Sequence, residues 1–326
     1  MSYSSGGLIQ AIDYNYLTWG GNTTGTYSGT ITNLAMVMGV GKGYKGYGQS
    51  VTAISAVTGA GGDTVTATQW AGLVHTLNKA LGHQSGAGSQ LASGSNIGIT
   101  AGATITAFAN VSTAVGTVNT NANSASASGS TTTGTGLTTA ISWADSSSSQ
   151  STNWTRTATF ASADQARYFF NAGGYLSVVL TATNDNATSR SGDVATVLQT
   201  NTGGFVVRNA NCTARTGAGG TVNSSSSSLG YWGLTSVNQT MLDINSASAT
   251  YEYTSTKLEI KLKTNGLQGS NSDNGTIVTF DFTVSDSAQT NSNFNDAVSV
   301  TATVRIDVVY PETTYLSNSW GSVTIA

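Results

Sequence analysis

The chain has 326 residues, with 12 Lys and Arg against 15 Asp and Glu, so that only 8% of its residues are charged. A typical soluble domain carries roughly 25% charged residues, and binding to nucleic acid needs clustered Lys and Arg, so the composition excludes that class of partner. Cys212 is the only cysteine, which excludes an intrachain disulfide. No apolar run is long enough to span a bilayer, and no signal peptide is visible, so no membrane association is expected.

The first predicted region, residues 1–95, is helical and rich in loops. Its best helix is Thr66–Gly82, where Thr66 and Gln69 have the spacing of a capping box and Gly82 is expected to stop the helix. The apolar residues of this helix form one stripe: Trp70, Leu73, Val74, Leu77 and Leu81. The two histidines, His75 and His83, are expected on the helix surface and at its cap rather than as a metal pair.

A glycine-rich segment, Gly39–Gln49, precedes this helix. It lacks the Gly-Lys-Ser/Thr spacing of a phosphate-binding loop, so we interpret it as a turn segment that packs against a neighbouring chain.

The second predicted region, residues 96–142, contains an uncharged helix and a low-complexity linker. Its helix has an apolar stripe formed by Ile105, Phe108, Val111, Val115 and Val118. Two interpretations remain open for this stripe, which are a buried intrachain helix and a helix at the interface of a homo-oligomer. The interface interpretation, with a trimer as the preferred oligomer, would cover a segment that is poorly soluble when isolated because it carries no charge. Asn121–Gly136 is expected to be a flexible linker or a segment that becomes ordered only on assembly.

The third predicted region, residues 143–326, is an antiparallel β-sandwich or jelly roll, so the fold class is mainly β with a small helical N-terminal part. Leu258–Lys263 and Thr276–Val284 alternate apolar and polar residues with the period of a half-buried strand. Turn-forming Asn, Gly and Ser separate the strands. The other strands predicted after residue 180 are Val194–Leu198, Phe205–Arg208, Leu229–Thr235, Ala249–Tyr253, Val298–Tyr310 and Ser322–Ile325.

The densest apolar block of the chain lies at 162–180 and predicts a short helix, a Gly-Gly turn and a buried strand. Ser162 and Gln165 are spaced as a capping box at the start of the helix. Phe169 and Phe170 are expected to anchor the core of the β domain. Gly173 and Gly174 are expected to supply the positive φ with which the chain leaves a helix.

This block, SADQARYFFNAGGYLSVVL, resembles a segment of virion structural proteins from tailed bacteriophages, especially those of marine and cyanobacterial hosts. Two N-terminal stretches, VTATQWAGLVHTLNKALGHQSG and MGVGKGYKGYGQS, resemble the start of the same proteins. The resemblance implies a location in the virion, in the tail as a fibre, baseplate or adaptor component, after assembly in the host cytoplasm. It implies tail or neck proteins as partners, with residues 1–95 as the attachment region.

Residues for catalysis are scarce, and we predict no catalytic residue, cofactor or metal ligand. Both histidines lie in the helical part, apart from any nucleophile elbow. The oxygen-rich loops Asp185–Asp193 and Asn271–Gly275 suit calcium in composition but lack the spacing of a calcium-binding loop. Tyr231 and Trp232 are candidates for stacking on a glycan, with core packing as the alternative.

The resemblance therefore implies a bacteriophage structural protein that acts by assembly, and the scarcity of acid and base residues predicts that it is not an enzyme. The alternative is a carbohydrate-binding adhesin module that contacts a host surface glycan directly.

Overall fold

The computed structural model describes residues 9–20, 33–41, 43–58, 64–91, 108–125, 128–144, 148–213, 215–246, 255–266, 275–287 and 296–326. The α-helices within these ranges are α1 Ala11–Trp19, α2 Leu34–Met38, α3 Ala67–Ser85, α4 Phe108–Thr120, α5 Ala163–Asn171 and α6 Ser189–Ala195. The strands are β1 Ser128–Thr132, β2 Leu137–Trp143, β3 Gln150–Phe160, β4 Tyr175–Asn184, β5 Gly204–Val207, β6 Thr221–Ser225, β7 Gln239–Asn245, β8 Lys257–Thr264, β9 Ile277–Asp286, β10 Val298–Pro311 and β11 Val323–Ile325.

The predicted fold class is confirmed: the protein is mainly β, with two open antiparallel sheets and a small helical N-terminal part. The first sheet is built around β10, its longest strand. β4 pairs along one side of β10, and β5 pairs with β4. The other side of β10 is shared, because β2 covers its N-terminal half and β1 covers its C-terminal half.

The second sheet has six strands in the order β11-β3-β9-β8-β7-β6. The predicted alternation on β8 and β9 is confirmed, since every second residue of both strands is buried. In register, Trp154 on β3 lies opposite Phe282 on β9, and Phe282 lies opposite Ile260 on β8. The Trp154 and Phe282 rings stack at 5.4 Å between centroids, which adds a cross-strand aromatic pair to the buried face.

The inner faces of the two sheets share one apolar core. Phe205 of the first sheet and Phe280 of the second have ring centroids 6.2 Å apart. At one end the core is closed by a fully buried ion pair, in which the Arg190 Nε of α6 lies 2.8 Å from the Asp286 Oδ2 of β9.

The helical region packs against the sandwich rather than apart from it. Helix α3 buries its predicted stripe against α4 and continues to Ser85. Gly82 therefore does not stop the helix as predicted. A Cβ at this glycine would lie 2.6 Å from the Tyr315 ring, so Gly82 gives the tail after β10 room to approach. His75 is on the helix surface as predicted, whereas His83 is buried against the carbonyl of Ala172 and not at a cap.

The glycine-rich segment Gly39–Gln49 is held by contacts with the C-terminal tail of its own chain, while its predicted packing against a neighbouring chain stays a prediction. Gln49 binds the backbone of Ser317 through both its Nε2 and its Oε1 atoms. The Ser319 hydroxyl donates to the Tyr47 carbonyl at 2.6 Å. The C-terminal tail thus holds this segment against the sandwich.

The interpretation of the α4 stripe as an oligomer interface is corrected by the structure. Val111, Val115 and Val118 are 0%, 7% and 0% exposed, and they belong to the core shared with α1, α2 and α3. Phe108 is partly buried against the same core. The interpretation as a buried intrachain helix is therefore confirmed, because α4 packs against the apolar surface of α3 in the same chain. Ile105 lies outside the described residues.

Four predictions of local structure differ from the structure. Asn121–Gly136 was predicted to be a flexible linker, but it contains β1, which pairs with β10, and the predicted boundary at 142/143 falls inside β2. Val194–Leu198 is helical, not a strand, since the Thr188 side chain caps α6 and the next residues continue the helix as a π-helical turn. Leu229–Thr235 contains a 3-10 turn, Tyr231–Gly233. Ala249–Tyr253 lies outside the described residues.

Candidate functional site

The helix-turn-strand unit at 162–180 forms as predicted, except for half of its capping box. The Ser162 Oγ accepts a hydrogen bond from the Gln165 amide at 3.1 Å, but the Gln165 Oε1 is left without a partner. Phe169 and Phe170 are both 0% exposed, and their rings meet edge to face at 5.0 Å. Both phenylalanines lie in the core, as the sequence predicts.

The two glycines after α5 are needed for different reasons. Gly173 has φ +96°, in the region that a side chain disfavours. Gly174 has no positive φ, but a Cβ there would lie 2.7 Å from the Phe169 ring. The predicted positive φ is therefore confirmed for Gly173, whereas Gly174 is required because a side chain there would collide with the Phe169 ring.

Tyr231 and Trp232 do not form an exposed stacking surface, so their assignment as glycan contacts is corrected. They are 1% and 7% exposed. The Tyr231 ring stacks on Phe170 at 4.3 Å, and Trp232 lies edge-on to Tyr44 at 5.3 Å. Core packing, the alternative interpretation, is the observed one, because the 3-10 turn points both rings at α5 and the Gly39–Gln49 segment.

Asn171, the last residue of α5, connects these parts through buried hydrogen bonds. Its Oδ1 accepts from the Trp232 Nε1 at 3.1 Å and from the Asn209 Nδ2 at 2.9 Å. Its Nδ2 donates to the Gly43 carbonyl at 3.1 Å. Nothing in the sequence pattern singles out this asparagine, because its partners come from three distant segments.

A cleft of about 270 Å³ lies beside this network. It is lined by residues 123–125 after α4, by Phe170 and the Gly173–Gly174 turn, and by the loop 208–211 after β5. Of these lining residues, only Arg208 is ionisable at ordinary pH. The cleft therefore offers hydrogen bonds and one positive charge, without a general base among its lining groups.

The loop 208–211 is held in place by backbone hydrogen bonds. The Arg208 amide donates to the Asn211 carbonyl at 2.9 Å. The carbonyls of Arg208 and Asn209 accept from the amides of Tyr231 and Trp232 at 2.9 and 3.0 Å. The buried aromatic turn is thus the support of the cleft, not its binding surface.

A second surface feature is the open edge of the second sheet. Among the described strands β6 pairs with β7 alone, and all five of its residues are exposed. Its sequence is Thr-Val-Asn-Ser-Ser, which contains no charged residue and no proline. Val222 on this strand is 41% exposed. The sequence pattern did not identify β6, because a run of small polar residues does not alternate.

Titratable groups do not gather into a reaction centre in the described part of the chain. No group of three or more His, Cys, Asp or Glu that could hold a metal ion occurs among the described residues. In the oxygen-rich loop 185–193, Arg190 is paired with Asp286 and Thr188 caps α6. Residues 271–274 of the second such loop lie outside the described residues. Burial raises the pKa of the Cys212 thiol to about 12, and this side chain donates to the Leu229 carbonyl.

None of the helices within the described ranges is long and apolar enough to cross a membrane.

No protein-family model matches the chain, and no curated protein or solved structure shows significant similarity to it.

Proposed function

We propose that the protein is a structural component of a bacteriophage virion, located in the tail, and that it acts by assembly with further copies of itself and with other tail or neck proteins. The observation that carries this proposal is the open, uncharged edge at β6. The resemblance of residues 162–180 to virion structural proteins supports the same function, as does a chain with only 8% charged residues.

An exposed edge strand offers unpaired N–H and C=O groups to any strand that approaches it. Monomeric proteins block such edges with short strands, bulges, lysine, proline, inward-pointing charge or a covering loop. Strand β6 has a bulge at Asn223 but no charge or proline, and all five of its residues are exposed. The edge is therefore suited to strand addition from another chain, a common mode of protein recognition.

The opposite end of the same sheet is also partly open. Strand β11 pairs only with Ala158–Phe160 of β3, so the N-terminal part of β3 has β9 as its single strand neighbour among the described residues. Pairing of β6 on one subunit with β3 on the next is a head-to-tail contact, which closes into a ring when the rotation permits. We expect a ring of three, as the resemblance to tail proteins implies.

Native mass spectrometry and sedimentation of the full chain test this arrangement. We expect a trimer for the parent and monomers of unchanged thermal stability for the double variant Val222→Lys, Ser225→Lys, because lysine blocks an edge strand. Val237→Lys is the matched control, since Val237 is 69% exposed but lies in the loop before β7. This control is expected to remain a trimer.

A parent that is monomeric at every concentration, or an edge variant that assembles like the parent, contradicts assembly through β6. Mass spectrometry of purified virions tests the location separately. Absence of this chain from the particles contradicts the virion assignment, whatever its oligomeric state.

A further inference from the structure

Arg156 places a charge on the inner, core-facing row of strand β3. Its neighbours two positions away on the strand, Trp154 and Ala158, are buried in the apolar core, and Phe280 of β9 lies opposite it in register. Successive side chains of a strand point to opposite faces of the sheet, so the Arg156 side chain leaves β3 on the same face as Trp154. A charged group in such a row is unfavourable unless it is hydrogen-bonded, so the position of its partners indicates its role.

The guanidinium of Arg156 joins the edges of the two sheets. Its Nη1 donates to the Thr155 carbonyl of β3 at 2.8 Å. Its Nη2 donates to the Thr139 Oγ1 at 3.1 Å and, more weakly, to the Thr138 carbonyl at 3.4 Å. Both threonines belong to β2, which pairs only with β10 among the described strands. One side chain therefore lies across the side of the sandwich on which β2 and the N-terminal part of β3 have no further strand neighbour in the described part of the chain.

The Thr155 carbonyl belongs to the open edge of β3. The amide and the carbonyl of Thr157 bind Ala326 at 2.7 and 3.0 Å, on the side of β3 that faces away from β9. The backbone groups of successive residues alternate between the two sides of a strand, so Ser151, Asn153 and Thr155 face the same edge as Thr157. Arg156 therefore covers this edge at Thr155.

The part of the edge that stays free has five residues. Strand β11 and Ala326 cover β3 from Thr157 to Phe160, and Arg156 covers the Thr155 carbonyl. Residues 150–154 have no strand on this side among the described strands. Strand β6 also has five residues. The free length of β3 therefore equals the length of the strand that is proposed to add to it.

An inward-pointing charge is one of the means by which sheet edges resist the addition of a further strand. We propose that Arg156 sets the limit of strand addition at β3, so that residues 150–154 accept β6 of another copy of the chain and the contact ends at Thr155. The inference rests on the proposed assembly through β6 and β3, and it adds the residue that fixes the length of that contact. A longer contact has to displace the guanidinium from the Thr155 carbonyl and loses its hydrogen bonds.

The Arg156 side chain is not fully satisfied where it lies. Its Nε is buried and has no hydrogen-bond partner within the described residues, and such a donor is unfavourable. A methionine, which is unbranched and adaptable, fills the same space without an unpaired donor. We therefore expect Arg156→Met to melt close to the parental temperature, whereas removal of an arginine with a purely structural role would lower it.

Residue-resolved hydrogen exchange on the full-length protein tests where the contact ends. The reference for an uncovered edge is the Val222→Lys, Ser225→Lys variant, whose β6 is blocked. In the assembled parent we expect slower exchange than in this reference at the amides of residues 151 and 153, and equal exchange at the Thr155 amide. In Arg156→Met the slower exchange should extend to Thr155. The dissociation constant measured by sedimentation should fall by about tenfold, because the added strand gains hydrogen bonds that the arginine prevents.

Arg305→Met is the matched control, because Arg305 is a half-exposed arginine on β10 that pairs with Asp307 of the same strand. It should leave both the limit of protection and the dissociation constant unchanged. Thr139→Val removes one acceptor of the Arg156 guanidinium and keeps the shape of the side chain. This variant should shift both measurements in the direction of Arg156→Met by a smaller amount, and it tests the proposal even where Arg156→Met does not fold.

The outcomes separate this inference from the proposed function. An assembled parent with slowed exchange at Thr155, or without it at residues 151 and 153, overturns the proposed limit while assembly itself stands. So does an Arg156→Met variant with the parental dissociation constant and the parental pattern of protection. A parent and an Arg156→Met variant that both remain monomeric contradict the inference together with assembly through β6. A monomeric parent beside an assembling Arg156→Met variant contradicts only the assembly of the parent and supports the blocking role of Arg156.

Discussion

The β-sandwich and the helical region fill their interiors with different kinds of side chain. In the sandwich, neighbouring strands satisfy the backbone of β8 and β9. The buried residues of these strands are apolar except at one end of each, where Thr264 and Asp286 are buried. In the helical region, short helices are joined by irregular segments whose backbone needs other partners. Buried asparagines supply them: Asn15 binds both backbone groups of Val57, and Asn78 binds both of Leu91.

The difference shows that the two regions depend on different interactions for their stability. Removal of apolar volume should be most costly where the sandwich meets α5, since the core there is packed by interlocking rings. Loss of a single amide should be most costly in the helical region, where one side chain holds an irregular backbone segment. The predictions below test this contrast and are arranged from the largest expected effect to the smallest.

The largest effect is expected from truncation of the aromatic core at α5. Phe169→Ala and Phe170→Ala should each lower the free energy of unfolding by about 3–5 kcal/mol, because both side chains are fully buried. Chemical denaturation of each single variant measures the loss. Phe108→Ala on α4 is the comparison, since this side chain is only partly buried and should cost distinctly less. Parental stability of both α5 variants would contradict the anchoring role.

The sequence predicted the sandwich better than the helical region, and these residues show why. Alternation such as that of Leu258–Lys263 depends only on neighbours in the chain and the period of a strand, so it can be read directly. The apolar stripe of α4 could also be predicted from the sequence, but the surface that covers it could not. Periodicity shows which face of a helix is buried, and it does not show what that face packs against. The clustering of Asn171, Asn209 and Trp232 depends on contacts between distant segments, which no local pattern encodes.

The second prediction concerns the amide that fixes the segment after Gln49 to α1. The Asn15 Nδ2 donates to the Val57 carbonyl, and the Asn15 Oδ1 accepts from the Val57 amide, both at 2.9 Å. Asn15→Leu leaves both backbone groups unpaired, so we expect a loss of about 2–4 kcal/mol. Hydrogen exchange at Val57 should accelerate while exchange in β8 and β9 changes less.

Asn110→Leu is the matched control, because Asn110 is exposed on α4 and the same substitution there removes no buried partner. Equal losses in the two variants would show that the effect of Asn15 is not due to its backbone hydrogen bonds.

The third prediction concerns His83, which joins the two regions. Its Nε2 lies 2.8 Å from the Ala172 carbonyl, and its Nδ1 is buried without a partner. Burial lowers the pKa of His83, against the opposing effects of the Ala172 hydrogen bond and the Glu312 charge. The unfolded chain therefore takes up this proton before the folded protein does, and stability should fall as the pH drops below about 6.5, by up to about 1.4 kcal/mol per pH unit.

Denaturation at several pH values between about 7 and 5 tests this dependence. His83→Gln should remove part of the slope, whereas His75→Gln, on the exposed surface of α3, should keep it. A parental slope in His83→Gln would show that other groups cause the acid sensitivity.

The smallest effect is expected on the outer face of the second sheet, where the Lys263 Nζ lies 3.1 Å from the Asp281 Oδ2 and both side chains are partly exposed. Burial alone would raise the pKa of Asp281, but hydrogen bonds from Thr155, Lys263 and Asn238 and the charge of Lys263 together hold this pKa below its ordinary value. Such a pair stabilises the folded protein at pH values above the carboxyl pKa in the unfolded chain. This stabilisation is lost as the pH falls through the lower pKa of the same carboxyl in the folded protein. Lys263→Met should therefore cost less than about 1 kcal/mol at neutral pH, because solvent screens the pair.

The same variant should raise the Asp281 pKa in a carboxyl-carbon NMR titration. The Asp243 pKa should change little, because the hydrogen bonds from Asn223 and Lys257 that lower it, against the effect of burial, do not involve Lys263. A loss of stability as large as that of Asn15→Leu would show that the outer face of the sandwich also depends on single polar contacts, and the contrast between the two regions would then fail. A small loss together with a raised Asp281 pKa would show that polar contacts matter most where they satisfy an irregular backbone.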